Sequence, residues 1–529
     1  MTMKRTNLIF TAAIILLMGV VAAGCGDDFF SRPPTGQIVQ DNFYKTETDL
    51  FMATGSLYNI GWFDFNDKAA QKLGDAGGGV LRHGIPFYWF RSDAAEPRLN
   101  ETWRSLYIII NQANTQIANI EQGVPATLDR EVVDHRIAEA RFMRAVAYLH
   151  LARIWGHVPI ITRTDELIDD PLVYRNREED VFQFVLNELK FAEEHLVLND
   201  PAGRVNRWSA KGYLALTYLS MASHLSSGGT LVQEYLDNAL EYAEDVILNS
   251  PHQLMDNYAD LFRRENNNNV ESLFALQWMV GTGEWGAQNS VQAYYGQPAL
   301  TGVGDGWGAG HQISNWAFEL LGGASTEDAR RKPTFMTHGD HYPELRTAFG
   351  GYTHEGSRPN VKKYIVGRPE DNDGQVEFMA TDINTYMLRL AEVYLIAAEA
   401  ILGNNASTTD ARALEYFNTI RERAGVDPYD EITFMDILEE RVREFTMEGK
   451  LYYDLLRIFK LDSQDAINLV DLQQRHMRHD WDGDAGEFEL IQDGTPITVT
   501  ESSFILPYPE AEMTANPKLR EDPVPYDFD

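Results

Sequence analysis

The sequence predicts a mainly α-helical protein, a helical-repeat scaffold with an irregular subdomain of short strands and helices. Three observations carry this. Apolar residues recur at the 3.6-residue spacing of an amphipathic helix through much of the first 248 residues and again after residue 383. Between residues 249 and 382 that spacing fades, and Gly, Asn, Trp, Tyr and Pro become frequent over a stretch too long for a plain loop. The predicted helices also come in pairs with Ala and Tyr at recurrent positions, which suits stacked repeats. No fixed register of about 34 residues is visible, so an irregular helical bundle stays open as the alternative.

The elements follow in order. Residues 49–60 read as a first helix. Residues 103–120 place Leu106, Ile109, Ile110, Ala113, Ile117 and Ile120 on one face, and residues 136–155 do the same with Ala138, Phe142, Ala145, Tyr148, Leu149 and Ala152. Helices over 181–196, 209–225 and 234–248 continue the series, where small residues such as Ala210, Ala215 and Ala222 permit close packing. After the irregular stretch, helices resume at 386–402, 409–424 and 434–459, and a Pro-rich segment ends the chain. The expected division is a leader over 1–24, a tether over 25–40, and then parts spanning 41–248, 249–382 and 383–529.

The leader carries its own chemistry. Lys4 and Arg5 precede an apolar run over 8–21, and Ala22-Ala23-Gly24-Cys25 then supplies small residues ending in the only cysteine of the chain. The run is short for a membrane span and its flanks are those of a signal peptide. The pattern is that of a lipoprotein signal whose cleavage leaves an acylated Cys25 as the first residue. Ala22 stands where such a signal usually has Leu. Gly26-Asp27-Asp28 is similar to the acidic export signal of Bacteroidota surface lipoproteins. The expected location is therefore the outer membrane, lipid-anchored and facing the exterior. Pro33, Pro34 and Gly36 keep the tether non-helical.

Composition narrows the function. Hydrophobic content of 44% and aromatic content of 11% describe a chain that folds. With no thiol beyond Cys25, internal disulfides, thiolate catalysis and cysteine metal sites are excluded. The formal charge is −34 and becomes −36 when Lys4 and Arg5 leave with the leader. Such a field repels nucleic acid and anionic lipid. It tolerates neutral sugars, and strongly anionic polymers only where a local basic patch exists.

A set of ordered motifs adds to this. Trp103-Arg104-Ser105-Leu106-Tyr107 is followed by Ala140-Arg141-Phe142-Met143-Arg144-Ala145 and by Trp155-Gly156-His157-Val158-Pro159-Ile160. Leu388-Arg389-Leu390-Ala391-Glu392, Ile420-Arg421-Glu422-Arg423, Glu439-Glu440-Arg441, Glu448-Gly449 and Tyr453-Asp454-Leu455-Leu456-Arg457 come later, and Phe504-Ile505-Leu506-Pro507 lies near the end. Behind a lipoprotein signal, this order makes nearly the whole chain resemble the SusD/RagB family of outer-membrane nutrient-binding lipoproteins. The resemblance implies tetratricopeptide-like helix pairs beside an irregular ligand-binding half. It also implies capture of a nutrient, usually a glycan oligomer, for a TonB-dependent SusC-like transporter. Peptide binding in the manner of RagB-like members is the alternative, and a surface glycoside hydrolase a more distant one. The family often has Arg two residues after the glycine of Glu448-Gly449, where this chain has Leu451.

The charged motif residues read as structural ion pairs. Arg141 and Arg144 share a helix face, Glu392 and Glu399 another, and Arg441, Glu444 and Glu448 a third. No nucleophile elbow or phosphate-cradling loop appears, so no enzyme is expected. His338 and His341 around Asp340, and His476 and His479 before Asp480, lack the helical His-Glu-Xaa-Xaa-His context of a zinc site. No cofactor is expected, although Asp480, Asp482 and Asp484 imitate the start of a calcium loop that lacks its central Gly and closing Glu. Asp371-Asn372-Asp373-Gly374 is a second acidic turn of that kind.

Pyranose rings stack their C–H faces on aromatic rings and present hydroxyls to short polar groups at the rim. Two segments have that composition outside the helices: Gly61-Trp62-Phe63-Asp64-Phe65-Asn66-Asp67 with Tyr88-Trp89-Phe90-Arg91, and the stretch from Trp278 to Trp316. The glycine-flanked Trp285 and Trp307, with Tyr294 and Trp62, are the expected stacking residues. Asn289, Asp64 and Arg91 are the expected hydroxyl partners.

Overall fold

The computed structural model describes residues 43–168, 170–282, 285–302, 311–377 and 379–528. The leader, Cys25, the tether and Trp307 lie outside the described residues.

Eleven longer helices carry the architecture: α1 (Glu47–Gly55), α2 (Pro97–Gly123), α3 (Arg130–Trp155), α4 (Glu178–His195), α5 (Arg207–His224) and α6 (Gln233–Asn249), then α7 (Leu390–Leu402), α8 (Ala411–Arg423), α9 (Phe434–Phe445), α10 (Leu451–Leu461) and α11 (Ser463–Leu472). Consecutive helices from α2 to α6 pack on one another, and α7 packs between α6 and α8. The fold is the mainly α architecture expected, and among the described residues no helix is long and apolar enough to cross a membrane.

Helix starts are set by caps that hydrophobic spacing does not register. The Glu96 carboxylate accepts the Arg98 N–H, with Pro97 at the first helical position, so α2 begins six residues before the expected start at Trp103 and its apolar face begins at Leu99. Asp129 caps α3 in the same way. Residues 434–459 differ more. The expected single helix breaks after Phe445, and α10 starts afresh at Leu451. Met447 and Gly449 have φ of 68° and 71°, in the left-handed region that ends helices. Residues 385–389 form a strand rather than the first turn of a helix, pairing antiparallel with Ser272–Leu276.

The irregular half holds short elements only. Leu81–Arg82, Gln312–Ile313, Asn360–Val361 and Phe335–Met336 make a four-stranded antiparallel sheet in that spatial order. A hairpin, Met477–Asp482 with Glu487–Gln492, extends beyond α11 and was not signalled by the sequence. One contiguous apolar core joins both halves, running from Leu57 through α2–α7 to Leu506.

Buried charges also join them. Arg389 donates to Glu448 (2.8 and 2.9 Å), to Glu271 (2.7 Å), to Glu444 and to the Glu444 carbonyl (2.9 Å), so every guanidinium nitrogen is spent. Glu444 also meets Arg423 and Arg330, while Lys363 reaches Glu448 at 2.9 Å. Burial opposes the ionised form of Glu444, but Arg423, Arg389 and Arg330 outweigh it and hold the carboxyl well below its usual range. A second set links α7, α9 and α10: Arg441 to Asp454 (2.8 Å) and Glu392 (3.1 Å), Lys450 to Glu392 (2.6 Å), and Arg457 to Glu399 and Asp454. Arg141 and Arg144 both grip Glu188 of α4 at 2.7 Å. Replacing Arg389 by Met should cost about 3–5 kcal/mol in urea unfolding, because three buried carboxylates lose their shared cation.

Candidate functional site

A π-helix over Phe65–Gly77 organises the candidate surface. π-Turns are rare and concentrate at functional positions. Here the wide turn is locked from beneath. A Cβ on Gly74 would overlap the Gly449 carbonyl, and the Gly449 N–H donates to Asp75 Oδ1 at 3.0 Å. The opposite edge of the same helix carries Lys68 and Lys72.

Trp285 is 60% exposed and stands edge-on against the buried Phe63 ring at 5.8 Å. Next along the chain, Asp64 pairs with Lys68 at 3.1 Å, and Lys68 lies 3.9 Å from Glu101. Tyr294 is half-buried, and the Lys72 ammonium lies 4.6 Å from its ring centroid. Burial, reinforced by Asp67, Glu101 and Asp64, pushes the Tyr294 phenol well up, so it remains a neutral hydroxyl. The Tyr294 carbonyl accepts the His311 Nδ1–H, and His311 stacks on His83 at 4.7 Å. Burial, with His311 and Lys72 nearby, lowers His83 to about 4, leaving that ring uncharged at neutral pH.

The histidine stack opens into a cleft of about 290 Å3 lined by Trp89, Arg82, Gln312, Arg358 and Asp493. Trp89 is half-buried, with the Arg82 and Arg91 guanidinium groups 5.8 and 6.0 Å from its ring centroid. Arg82 is held by the carbonyls of Arg475, Met477 and Asp493 and by the Asp493 carboxylate at 2.7 Å. The surface thus runs from Trp285 past Asp64 and Tyr294, across the histidines, to Trp89 and Arg91. It offers aromatic faces and short polar groups side by side, an arrangement that suits a ring-bearing polyol.

Two expected residues sit elsewhere. Trp62 is fully buried, its Nε1–H donating to the Leu57 carbonyl at 3.0 Å and its ring edge-on to Phe65 at 5.5 Å, so it offers no face to a sugar. It belongs to the core. Asn289 is also fully buried, with its Nδ2 donating to the Ile383 carbonyl (2.8 Å) and Thr385 Oγ1 (3.2 Å) and its Oδ1 accepting the Val291 N–H (2.9 Å). That side chain is spent on joining strands. Trp89, Lys72, His83 and His311 were missed. Trp89 lies in an aromatic segment that composition had already marked, whereas the histidines become neighbours only through the sheet pairing of Leu81–Arg82 with Gln312–Ile313.

Among the described residues, no three or more His, Cys, Asp and Glu side chains gather as a metal site would require. His338 stacks on Trp481 and His479 on Phe318. Asp482 accepts the backbone N–H groups of Asp484 and Ala485 and closes the hairpin turn, while Asp371 accepts those of Arg346, Thr347 and Arg368.

Residues 270–524 match the sequence profile described as the SusD family, and residues 87–219 match one described as starch-binding and associating with the outer membrane. A SusD-like protein of Bacteroides ovatus is 37% identical over 540 residues, covering 97% of this chain and 98% of the relative. The chain belongs to the SusD/RagB family. Within that family it is also similar to the starch-binding protein SusD of Bacteroides thetaiotaomicron, at 25% identity over 66% of this chain and 69% of that one. A crystal structure solved with a xylogluco-oligosaccharide superposes with a TM-score of 0.84, at 37% identity, covering 91% of this chain and 99% of that one.

The π-helix of this SusD-family chain holds two buried acids, Asp67 and Asp75. Burial pushes each up to about 7, against the pull of Lys72 on Asp67 and of the Gly449 N–H on Asp75. Between pH 4 and 7, Asp75 is therefore protonated when folded and ionised when unfolded, so rising pH favours unfolding by about 1.4 kcal/mol per unit. Asp75→Asn should melt progressively above the parent as pH rises from 5 to 7, with a constant gap above that. Paired thermal melts across this range measure it.

Proposed function

We propose that this protein captures a glycan oligomer on the surface from Trp285 to Trp89. One observation carries the reading. An exposed indole, Trp285, stands on Phe63 at one end of a surface that leads past Asp64 and Tyr294 to a half-buried Trp89 in a polar cleft at the other. The full-length similarity at 37% identity to a structure holding a xylogluco-oligosaccharide makes a neutral, branched glucan the first ligand to test. Trp285, Tyr294 and Trp89 would stack on sugar faces, and Trp307 would join them. Asp64 and Arg91 would take hydroxyls. Of the nearby acids, Asp64 is held as a carboxylate by Lys68, which suits it to accept hydroxyls rather than to donate a proton, and Asp67 is buried. The role is therefore binding rather than glycoside cleavage.

The same reading extends to the cell envelope. Acylated Cys25 would tether the body to the outer membrane, facing outward, over a TonB-dependent SusC-like transporter that imports the ligand. The leader residues support this, and the family supplies the expectation of the partner.

Trp285→Ala combined with Trp307→Ala should weaken xylogluco-oligosaccharide binding at least tenfold in calorimetry, about 1.4 kcal/mol. Trp89→Ala should weaken it independently. Unchanged affinity in both would remove the stacking assignment. Cys25→Ala should move the protein from the membrane fraction to the soluble fraction while the purified variant keeps parental glycan affinity. A variant that stays with the membrane would refute the acyl anchor.

A further inference from the structure

A second cavity, of about 430 Å3, opens in the irregular half and shares no lining residue with the Trp89 cleft, nor does it include Trp285 or Tyr294. Its volume lies within the range of small-ligand pockets, about 300–1,000 Å3. Tyr342 lines it and is nearly buried. The Lys332 and Lys362 ammonium groups lie 5.2 and 5.7 Å from the centroid of that one ring. Lys332 makes no ion pair among the described residues. Lys362, with its side chain 12% exposed, donates to the Ile365 carbonyl at 3.0 Å and has only a 3.6 Å approach from Glu344.

The acids of the lining are engaged elsewhere or sit at the rim. The Asp328 carboxylate is gripped twice by Arg330, at 2.9 and 2.8 Å. Asp371 accepts three backbone N–H groups. Glu265 and Glu344 are 62% and 49% exposed, and the nearest basic group to Glu265 is Arg263 at 3.9 Å. Two cations are thus held around a single aromatic ring, with Glu344 at 3.6 Å from Lys362 as the one carboxylate ion-paired to either among the described residues, in a chain of formal charge −34. Burial lowers the Lys362 pKa, with Glu344 only partly restoring it, which is the strain that a bound anion relieves. Pro343, Ile365 and Val366 provide an apolar wall beside the two ammonium groups.

We propose that this cavity binds a sugar acid of hexuronate size, its carboxylate bridging Lys332 and Lys362 and its ring lying against the wall of Pro343, Ile365 and Val366. Charge-assisted bonds from two ammonium groups select the carboxylate over the neutral hydroxymethyl of the parent sugar. The site is independent of the glycan surface. Lys332 and Lys362 supply the local positive charge that a strongly acidic protein needs in order to hold an anionic ligand.

Calorimetric titration of the full mature chain with sodium glucuronate and with glucose tests this. Glucuronate should bind at least tenfold more tightly than glucose. Lys332→Gln should remove that preference, Lys332→Arg should retain it, and Lys332→Gln should leave xylogluco-oligosaccharide binding unchanged. Trp285→Ala should leave glucuronate binding unchanged. A glucuronate-terminated oligosaccharide that binds as well as free glucuronate assigns the cavity to a chain end, and one that is excluded assigns it to the free acid. The proposal fails if glucuronate binds no better than glucose, if Lys332→Gln keeps the preference, or if Trp285→Ala abolishes glucuronate binding.

Discussion

The structure depends on the buried ionic cluster around Glu444 and Arg389. Its members come from the irregular half (Glu271, Arg330, Lys363), from the strand at Arg389, from α8 (Arg421, Arg423) and from α9 and its following turn (Glu440, Glu444, Glu448). Apolar contacts hold these parts together but tolerate sliding. Paired charges out of water do not, because a displaced partner leaves a bare charge in a medium that cannot solvate it. The cluster therefore fixes how the helical scaffold and the irregular half are set against each other.

From that cluster the geometry passes outward to the proposed ligand surface. Glu448 is anchored by Arg389 and Lys363, and this sets the path of Gly449. Gly449 receives the π-helix so closely that Gly74 opposite it has no room for a side chain. The far edge of the π-helix presents Lys68 and Lys72, which hold Asp64 and Tyr294 in place. Charge pairing in the interior thus decides where aromatic and polar groups meet at the surface.

Much of the scaffold was legible because helices repeat locally. Arg141 and Arg144 announced a paired face, although their shared partner Glu188 lies 47 and 44 residues away and could not be named. The break between α9 and α10 was hidden because Glu444 and Glu448 keep helical spacing through it, and the turn is driven by distant cations rather than by local propensity. The site was half legible. Trp62 and Trp285 occupy segments of similar composition, yet a 3-10 turn directs Trp62 into the core while Trp285 stands out on Phe63. Asn289 looked like a hydroxyl partner because a buried amide that joins strands and an exposed one that meets ligand have the same sequence signature.

The uneven burial of the indoles has a spectroscopic consequence. Of the ten tryptophans in the chain, six are buried, Trp89 and Trp481 are half-buried, and Trp285 is the one exposed among those described. Buried indoles emit at shorter wavelengths and are shielded from aqueous quenchers such as iodide. Among the described tryptophans, the red edge of the emission and the iodide-accessible fraction therefore come largely from Trp285. A ligand that covers it, as proposed for the glycan, would shift the spectrum to the blue and protect it from quenching, which would make this indole an optical gauge of occupancy.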